Sequence, residues 1–203
     1  MVFLYRNVTL TKNDMKNFLP MFSLTCLLAI FSCNEPRQGR EELAGEENDE
    51  KFEKKNLRND AQFVEEVVAS NYAEIKMAEI ANQRSRNSEV KQIAQMVQAD
   101  HSGSLNELKT LAQSKAISVP VEETDEARLK MENFSAESGR NFDEKWCKEM
   151  IDKHEDNIDR FEKRLENSDD ADLKSWISKT LLTLRSHHDK LKACQEKLKE
   201  GKS

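Results

Sequence analysis

Glycine and proline are scarce in this sequence, with 5 and 3 residues among 203. Few stretches alternate apolar and polar residues in the way that half-buried strands do. Charged residues, by contrast, make up 34% of the chain. A charged chain with few turn residues and no strand pattern is typical of long amphipathic helices, so we predict one all-α domain with appendages.

The sequence also lacks the short motifs that accompany common chemistry. It contains no glycine-rich phosphate loop, no nucleophile elbow and no paired-cysteine zinc motif. It has no basic stripe with interleaved aromatic residues, and its formal net charge is −6. Nucleic acid is therefore a poor candidate partner, and a non-enzymatic role is favoured over any identifiable reaction.

The longest apolar run lies near the N-terminus, at Phe18–Phe31, and follows Lys16. These fourteen residues are too few to span a bilayer, but they suit the core of an export signal. Residues 1–14 add nothing that such a signal needs, so we predict that translation starts at Met15. Residues 1–32 then form the signal segment.

Ile30-Phe31-Ser32-Cys33 resembles a bacterial lipobox, in which the cysteine receives a lipid. Cys26 fits that pattern less well, because apolar sequence continues beyond it. We predict lipidation at Cys33 and hence a protein anchored to a membrane of the bacterial envelope, most simply the outer membrane, facing the periplasm or the surface. A plain cleaved signal or an uncleaved anchor is the alternative.

The segment Asn34–Arg58 is dense in Glu, Lys and Arg, contains Pro36, Gly39 and Gly45, and shows no apolar periodicity. Such a stretch buries too little apolar surface to offset the entropy of ordering it. We predict that residues 33–58 are a lipidated cysteine followed by a flexible tether.

Residues 59–201 carry four helical patterns. The first begins at Asn59 or Asp60, where Asn59 and Gln62 resemble a capping box, and the second runs from about Glu89 to Lys115. The third begins near Asp143, with Asn141 or Asp143 itself as its cap. The fourth has an apolar stripe from Leu173 to Leu198 and ends at Gly201.

Short polar turns at Arg86–Ser88 and Asn167–Asp170 join these helices into two antiparallel hairpins. The longer connection Ile117–Asn141 contains Pro120 and a candidate short helix at Thr124–Phe134. Two hairpins joined by a long crossover predict a four-helix bundle of ferritin-like connectivity.

One polar residue stands in the apolar stripe of each helix: Glu74, His101, His154 and His187. When two residues lie level across an antiparallel hairpin, the average of their residue numbers falls at the turn. The midpoint of Glu74 and His101 falls in the first turn, and that of His154 and His187 falls at the second. The four side chains are therefore expected at one level of the core.

A buried carboxylate and three imidazoles need partners, which leaves two explanations. One is a metal site for Fe, Zn, Mn or Cu, and the other is a structural hydrogen-bond network. The Glu-x-x-His motif of two-metal bundles is absent, because Gln98 precedes His101 by three residues and Leu184 so precedes His187. A metal site would thus hold a single ion, with Asp100 and Asp143 as candidates for hydrogen bonding to the ligands.

Cys147 and Cys194 have the same midpoint as His154 and His187, and each lies seven residues from its histidine. They should face each other across the second hairpin. In an oxidising envelope they are candidates for a disulfide, and two buried free thiols are the alternative.

Three further residues fit packing roles. Trp146 and Trp176 are expected in or beside the core, and His188 points away from the stripe. Gly103, inside the second helix, either makes room beside His101 or lets two helices approach closely, and we favour the second reading.

Several short segments resemble a bacterial family, the domain of unknown function four-one-four-two, whose members are often described as predicted outer membrane proteins. The segments are Asp60-Ala-Gln-Phe63, Ala73-Glu-Ile75, Glu79-Ile-Ala81, Val90-Lys91, Met96-Val-Gln-Ala-Asp-His101, Phe142-Asp143, His154 with Phe161, and Thr180-Leu-Leu-Thr-Leu-Arg-Ser-His187. The resemblance covers about residues 58–198.

This resemblance implies a ferritin-like bundle located in the envelope, with Glu74, Asp100, His101, His154 and His187 at the family's polar positions. It implies no reaction, substrate or metal. The family usually has proline where Leu182 stands here, so a kink expected in the fourth helix is expected to be absent.

We therefore expect an exported, lipid-anchored helical bundle with a buried Glu/His layer and no enzymatic activity. A single-site metal-binding protein for redox or storage is one alternative. A module whose exposed helix faces bind a protein partner is another.

Overall fold

The computed structural model describes residues 38–52, 54–134 and 138–201. These residues form six α-helices and no strand, which confirms the predicted all-α class. None of these helices is both long enough and apolar enough to cross a membrane. The predicted start at Met15, the apolar run Phe18–Phe31 and the lipidation site Cys33 lie outside the described residues.

The first hairpin consists of α2 (Lys55–Arg84) and α3 (Ser88–Ser114). The link between them is short, and the side chain of Asn87 caps α3 by accepting hydrogen bonds from the N–H groups of Glu89 and Val90. Such a cap satisfies backbone donors that have no partner inside the helix. The predicted turn is confirmed, whereas α2 begins four residues before Asn59, so Asn59 does not cap it.

The second hairpin consists of α5 (Gly139–Asn167) and α6 (Ala171–Glu200). Asp170 caps α6 by accepting from the N–H of Leu173, and Gly201 follows its last residue as predicted. The expected start of α5 near Asp143 is wrong. Gly139 has a φ of +60°, a conformation that glycine adopts without strain, and this lets the helix begin one turn earlier. Asp143 consequently lies inside α5 and is not its cap.

The connection between the hairpins contains the predicted short helix, α4 (Asp125–Phe134). Thr124 precedes it and accepts a hydrogen bond from the N–H of Ala127. Met131 and Phe134 of α4 are buried against the first apolar cluster described below. The connection therefore contributes to the core while it carries the chain from one hairpin to the other.

The four long helices share one interior. Helix α2 packs mainly against α3, α5 packs mainly against α6, and further contacts join α3 to α6 and α2 to α5. The interior has two apolar clusters. The first surrounds Trp146 and Met150, and the second surrounds Phe161 and Trp176. Both tryptophans are buried, as predicted, and Trp146 donates a hydrogen bond to the carbonyl of Met77.

The predicted tether is wrong for its described part, because residues 38–51 form helix α1 (Gln38–Lys51). Ala44 and Asn48, one turn apart, are buried. The Asn48 amide donates to the carbonyl of Ser118 and accepts from its N–H, at 2.9 Å each. Phe52 packs against the second apolar cluster. These few tertiary contacts order a segment whose composition predicted disorder.

Cys147 and Cys194 face each other across the second hairpin, as their shared midpoint predicted. Their sulfur atoms are 3.8 Å apart, whereas a disulfide bond is about 2.05 Å long. In the described part of the chain both are free, buried thiols, so the disulfide that we expected is not formed. The Cys147 thiol donates to Cys194, and this hydrogen bond together with burial raises the pKa of Cys147.

Candidate metal centre

The layer between the two apolar clusters is polar and takes one residue from each long helix. Glu74 lies on α2, His101 on α3, His154 on α5 and His187 on α6, and each is at most 5% exposed. On every helix, apolar residues of one cluster precede the polar residue and apolar residues of the other follow it. The structure therefore brings together the four side chains that the hairpin midpoints placed at one level.

The three histidines form a compact triangle. Their ring centroids are 5.4–5.5 Å apart in all three pairs. One nitrogen from each ring lies within 4.8 Å of the corresponding nitrogen of the other two. A metal ion bound to three imidazoles, with metal–nitrogen distances of about 2.0–2.1 Å, requires only a small inward movement of such a triangle.

The outer nitrogen of each ring faces a hydrogen-bond acceptor. His154 Nδ1 lies 2.8 Å from the carbonyl oxygen of Met150. His187 Nε2 lies 2.9 Å from a carboxylate oxygen of Asp100. A carbonyl and an ionised carboxylate only accept hydrogen bonds, so we assign the ring protons to these two nitrogens.

The same assignment holds for the third ring. His101 Nδ1 lies 3.1 Å from Asn71 Oδ1, while the amide nitrogen of Asn71 donates to the carbonyl of Val67 at 2.8 Å. Because Asn71 is oriented by that donation, its oxygen faces the ring and accepts from it. All three outer nitrogens therefore donate.

A neutral imidazole that donates from one nitrogen has a lone pair on the other. The inner nitrogens of His154 and His187, Nε2 and Nδ1, lie 3.3 Å apart, so two lone pairs face each other. Among the described residues, His101 Nε2 has no hydrogen-bond partner. With the protons assigned in this way the facing lone pairs repel each other, and a cation between the rings, either a metal ion or an extra proton, would remove that repulsion.

Glu74 lies beside the triangle and is not one of the residues whose ligand atoms are mutually close. Its Oε1 accepts hydrogen bonds from Ser70 at 3.0 Å and Asn157 at 2.7 Å. Its Oε2 lies 3.7 Å from His101 Nε2 and 3.5 Å from His154 Nδ1, without a hydrogen-bond partner in the described part of the chain. The three histidines are thus the better ligand set, and Glu74 supplies negative charge next to them.

The charges in the layer also favour a cation. Burial lowers the pKa of His101 to about 4, and burial likewise lowers the pKa of His187 despite its contact with Asp100. Burial alone would raise the pKa of Glu74, but positive charge on the neighbouring histidines and Lys153 outweighs it, so the pKa is lowered. Above about pH 4 His101 is neutral and supplies no such charge, whereas a bound metal ion would.

Of the two aspartates expected behind the ligands, only Asp100 takes that place. Asp143 is buried near the other end of the hairpin, where it hydrogen-bonds Ser85 and where burial raises its pKa. Asn71 and Asn157 were not predicted from the sequence. Each is a polar residue three positions from a member of the layer, on the same helix face, and that spacing was the available signal.

The structure therefore defines an all-helical protein with a buried layer of three histidines and one glutamate. Residues 45–194 match the family described as "Domain of unknown function (DUF4142)", and the chain belongs to this family. The matched segment includes the end of α1 and every residue of the layer. Comparison with curated proteins gives no match, and comparison with solved structures gives none either.

Proposed function

We propose that this protein binds one transition metal ion through His101, His154 and His187. The observation that carries the proposal is the position of three acceptors, on Asn71, Met150 and Asp100, at 2.8–3.1 Å from the outer ring nitrogens. These acceptors assign the ring protons to the outer nitrogens. Metal-bound histidines almost always donate their second nitrogen to a carbonyl or carboxylate in this manner. Three inner lone pairs then remain for one ion.

The ligand chemistry narrows the choice of metal. Imidazole suits Zn, Cu and Fe, whereas Mn prefers carboxylate and water oxygens. We therefore rank Mn last of the four metals considered. Among the described residues, Glu74 adjoins the inner side of the rings, while the carboxylate of Asp100 bonds the outer nitrogen of His187. Gln98 and Leu184 occupy positions where two-metal bundles have glutamates. This supports a single ion in a ferritin-like four-helix bundle and not a di-metal centre.

We further propose that the protein is a lipoprotein of the bacterial envelope, anchored through Cys33, most simply in the outer membrane. The support is the pattern Ile30-Phe31-Ser32-Cys33 after an apolar run of export-signal length. The proposed role there is to bind the metal ion, and it includes no reaction. An ion-free hydrogen-bond network, with one extra proton among the rings, is the competing function of the layer.

The metal proposal is tested on the full-length protein, purified without a histidine tag and analysed for bound metals by mass spectrometry. We expect about one ion per chain after loading with Zn, Cu, Fe or Mn, and none in the double variant His154→Ala/His187→Ala. The matched control is His188→Ala, because His188 follows His187 but bonds Glu155 at the surface. It should retain the ion.

Folding and binding are separated by a second measurement. Circular dichroism establishes whether each variant is helical, and the conservative variant His187→Gln replaces the double variant if that one fails to fold. Metal should raise the melting temperature of the wild-type protein and of His188→Ala, but not of His187→Gln, because only a folded site binds it. No ion in the wild-type protein after loading with all four metals would make the layer a structural network.

The envelope proposal is tested separately by membrane fractionation with radiolabelled fatty acid in a bacterial host. Cys33→Ser should abolish labelling and release the protein from membranes. Cys26→Ser is the matched control and should leave both unchanged. Labelling that survives in Cys33→Ser would contradict the assignment of the lipid site.

A further inference from the structure

A cavity of about 230 Å³ lies beside the polar layer and is lined by residues of α2, α3, α5 and α6. Its lining includes the buried residues Glu74 and His101 and the exposed residues Gly103 and Glu107. The side chains of Glu107 and Lys179, which also line it, are 50% and 69% exposed. The cavity thus extends from the solvent-exposed face to one edge of the histidine triangle.

The inner wall of the cavity contains polar atoms without partners. In the described part of the chain, Glu74 Oε2, His101 Nε2 and Ser104 Oγ are buried and make no hydrogen bond. Buried polar atoms are normally satisfied, so an unsatisfied group points to a solvent molecule or an ion. Three such atoms on one cavity wall indicate that a polar species occupies it.

The charges along the cavity indicate the sign of the charge on the polar species that occupies it. Three carboxylates line it, Glu74, Asp100 and Glu107, against one cationic side chain, Lys179. Lys179 is itself paired with Glu107 at 2.7 Å, and Asp100 is 48% exposed while it bonds His187. A cleft of mainly negative groups raises the local concentration of cations and their rate of arrival.

Gly103 has no packing function that accounts for it. It lies inside α3, where glycine costs roughly 1 kcal/mol relative to alanine. A Cβ atom added at Gly103 would meet no other residue within 4 Å, so the expected close approach of two helices is wrong. What the glycine does is to leave open space at the cavity wall, one turn or less from His101.

We infer that this cavity is the access route by which a hydrated divalent cation reaches the histidine triangle. The inference rests on the proposed metal site. The ion enters between α3 and α6, passes Glu107 and Asp100, and loses water as Glu74 and the imidazoles replace it. The site therefore exchanges its ion with solvent without opening of the bundle, unlike a metal centre enclosed in a core.

Blocking the route should slow loading without changing the ligands. The probe is Co²⁺ alone, added to the full-length apoprotein, with its visible absorption followed by stopped flow. In Ser104→Leu the larger side chain fills the inner cavity, and we expect loading slowed on the order of tenfold, because the ion then needs a conformational opening. The matched control Ser104→Ala removes the hydroxyl but leaves the passage open, so its loading rate should stay much closer to the wild-type rate than that of Ser104→Leu.

A second pair of variants tests the outer wall. Gly103→Leu should slow Co²⁺ loading, as Ser104→Leu does, while Gly103→Ala should leave the loading rate unchanged. In all four variants the three ligands are intact, so the amount of Co²⁺ bound at equilibrium should stay the same. Circular dichroism identifies any variant that does not fold. If a leucine variant at one of the two positions fails, the variants at the other position are used for the test.

The charges of the route are tested by Glu107→Gln. Loading should fall by about threefold at low ionic strength and less in salt, since steering by charge is screened. The control is Glu162→Gln, a carboxylate of similar exposure that pairs with Arg185 away from the cavity. It should have no effect on the rate.

The outcomes separate the two proposals. Absence of Co²⁺ binding in the wild-type protein would remove the metal site and, with it, the access route. Normal Co²⁺ binding with unchanged loading rates in both leucine variants would overturn the access route and leave the metal site standing. Slower loading in the leucine variants only, with equal final binding, is the result that the cavity predicts.

Discussion

At the scale of the residue, the properties of the polar layer follow from where the protons lie on three imidazole rings. Asn71, the Met150 carbonyl and Asp100 each accept from an outer nitrogen. These acceptors orient the rings as well as setting their protonation, because each ring has only one rotation that keeps its hydrogen bond. The acceptors are therefore positioning groups for any ion that the inner nitrogens bind.

Asp100→Ala should weaken metal binding by about 10–100-fold, the usual effect of removing a group that hydrogen-bonds a metal-bound histidine. The lost acceptor leaves His187 free to rotate and less basic. Titration with Co²⁺ in competition with a chelator measures the affinity. Asp189→Ala, an exposed aspartate near His188, is the control and should bind as the wild type does. Equal affinities in both variants would contradict the positioning role.

The stability of the apoprotein should fall as the pH is lowered from 6.5 to 4. The pKa of His101 is about 4 in the folded state, against 6.5 for an unperturbed histidine. In that window the unfolded chain binds the proton and the folded chain does not, so acid favours unfolding. The loss reaches about 3 kcal/mol, at 1.36 kcal/mol for each pKa unit. The lowered pKa values of His187 and Glu74 act in the same direction.

Urea denaturation at a series of pH values measures this dependence. His101→Gln, which cannot take up the proton, should show a shallower decline between pH 6.5 and 4. A decline that is equally steep in His101→Gln would assign the effect to other groups. Metal binding itself should change little above pH 6.5, since the ligand His101 is already neutral there.

At the scale of the element, helix boundaries depended on local signals of unequal strength. The polar turns Arg86–Ser88 and Asn167–Asp170 and the terminator Gly201 were recognisable in the sequence, and α3 and α6 begin at the ends of these turns. The start of α5 depended on a positive φ at Gly139, and α1 depended on burial of Asn48 against Ser118. Neither of those is visible in a helical periodicity.

The facing cysteines of α5 and α6 provide a test of the second hairpin. Cys147 is fully buried and Cys194 is 1% exposed, so both should resist alkylation in the native protein. Cys147 should resist it more strongly, because its pKa is raised while the hydrogen bond from Cys147 lowers the pKa of Cys194. Both should react in denaturant without a reductant. Iodoacetamide labelling followed by peptide mapping measures each site. A requirement for reductant would mean that the disulfide forms in the protein after all.

At the scale of the whole molecule, the polar layer divides the interior into two apolar clusters. Hydrophobic burial in both clusters holds the four long helices together on either side of the layer. The two hairpins are joined across the interior as well as by the crossover. A buried ion pair at one end connects α2 to α5, between Arg164 Nε and Asp60 Oδ1 at 3.1 Å.

Arg164→Leu should destabilise the protein by about 3 kcal/mol, because it leaves the buried carboxylate of Asp60 without its cation. Burial already raises the pKa of Asp60, against the Ser168 hydrogen bond and the charge of Arg164. The control Arg160→Leu breaks a half-exposed pair with Glu66 and should cost under about 1 kcal/mol. Urea denaturation of both variants provides the comparison, and equal losses would contradict a special role for the buried pair.

The sequence by itself determined the all-helical class, the two hairpins and the level of the four polar residues. Helical periodicity and turn residues are features of short stretches of sequence. In an antiparallel hairpin, the number of residues between a position and the turn gives its distance along the hairpin axis. For this reason Glu74, His101, His154 and His187 could be placed together without a structure, and the family match covers the segment that contains them.

Only the tertiary structure decided how those residues relate at the scale of a bond. Ring rotation, the acceptors on Asn71 and Met150, the displacement of Glu74 from the triangle and the 3.8 Å between two sulfurs depend on side-chain packing between helices. Helix α1 likewise depends on a partner about 70 residues away at Ser118. Such contacts leave no periodic trace in the sequence, because they are set by packing geometry and not by spacing along the chain.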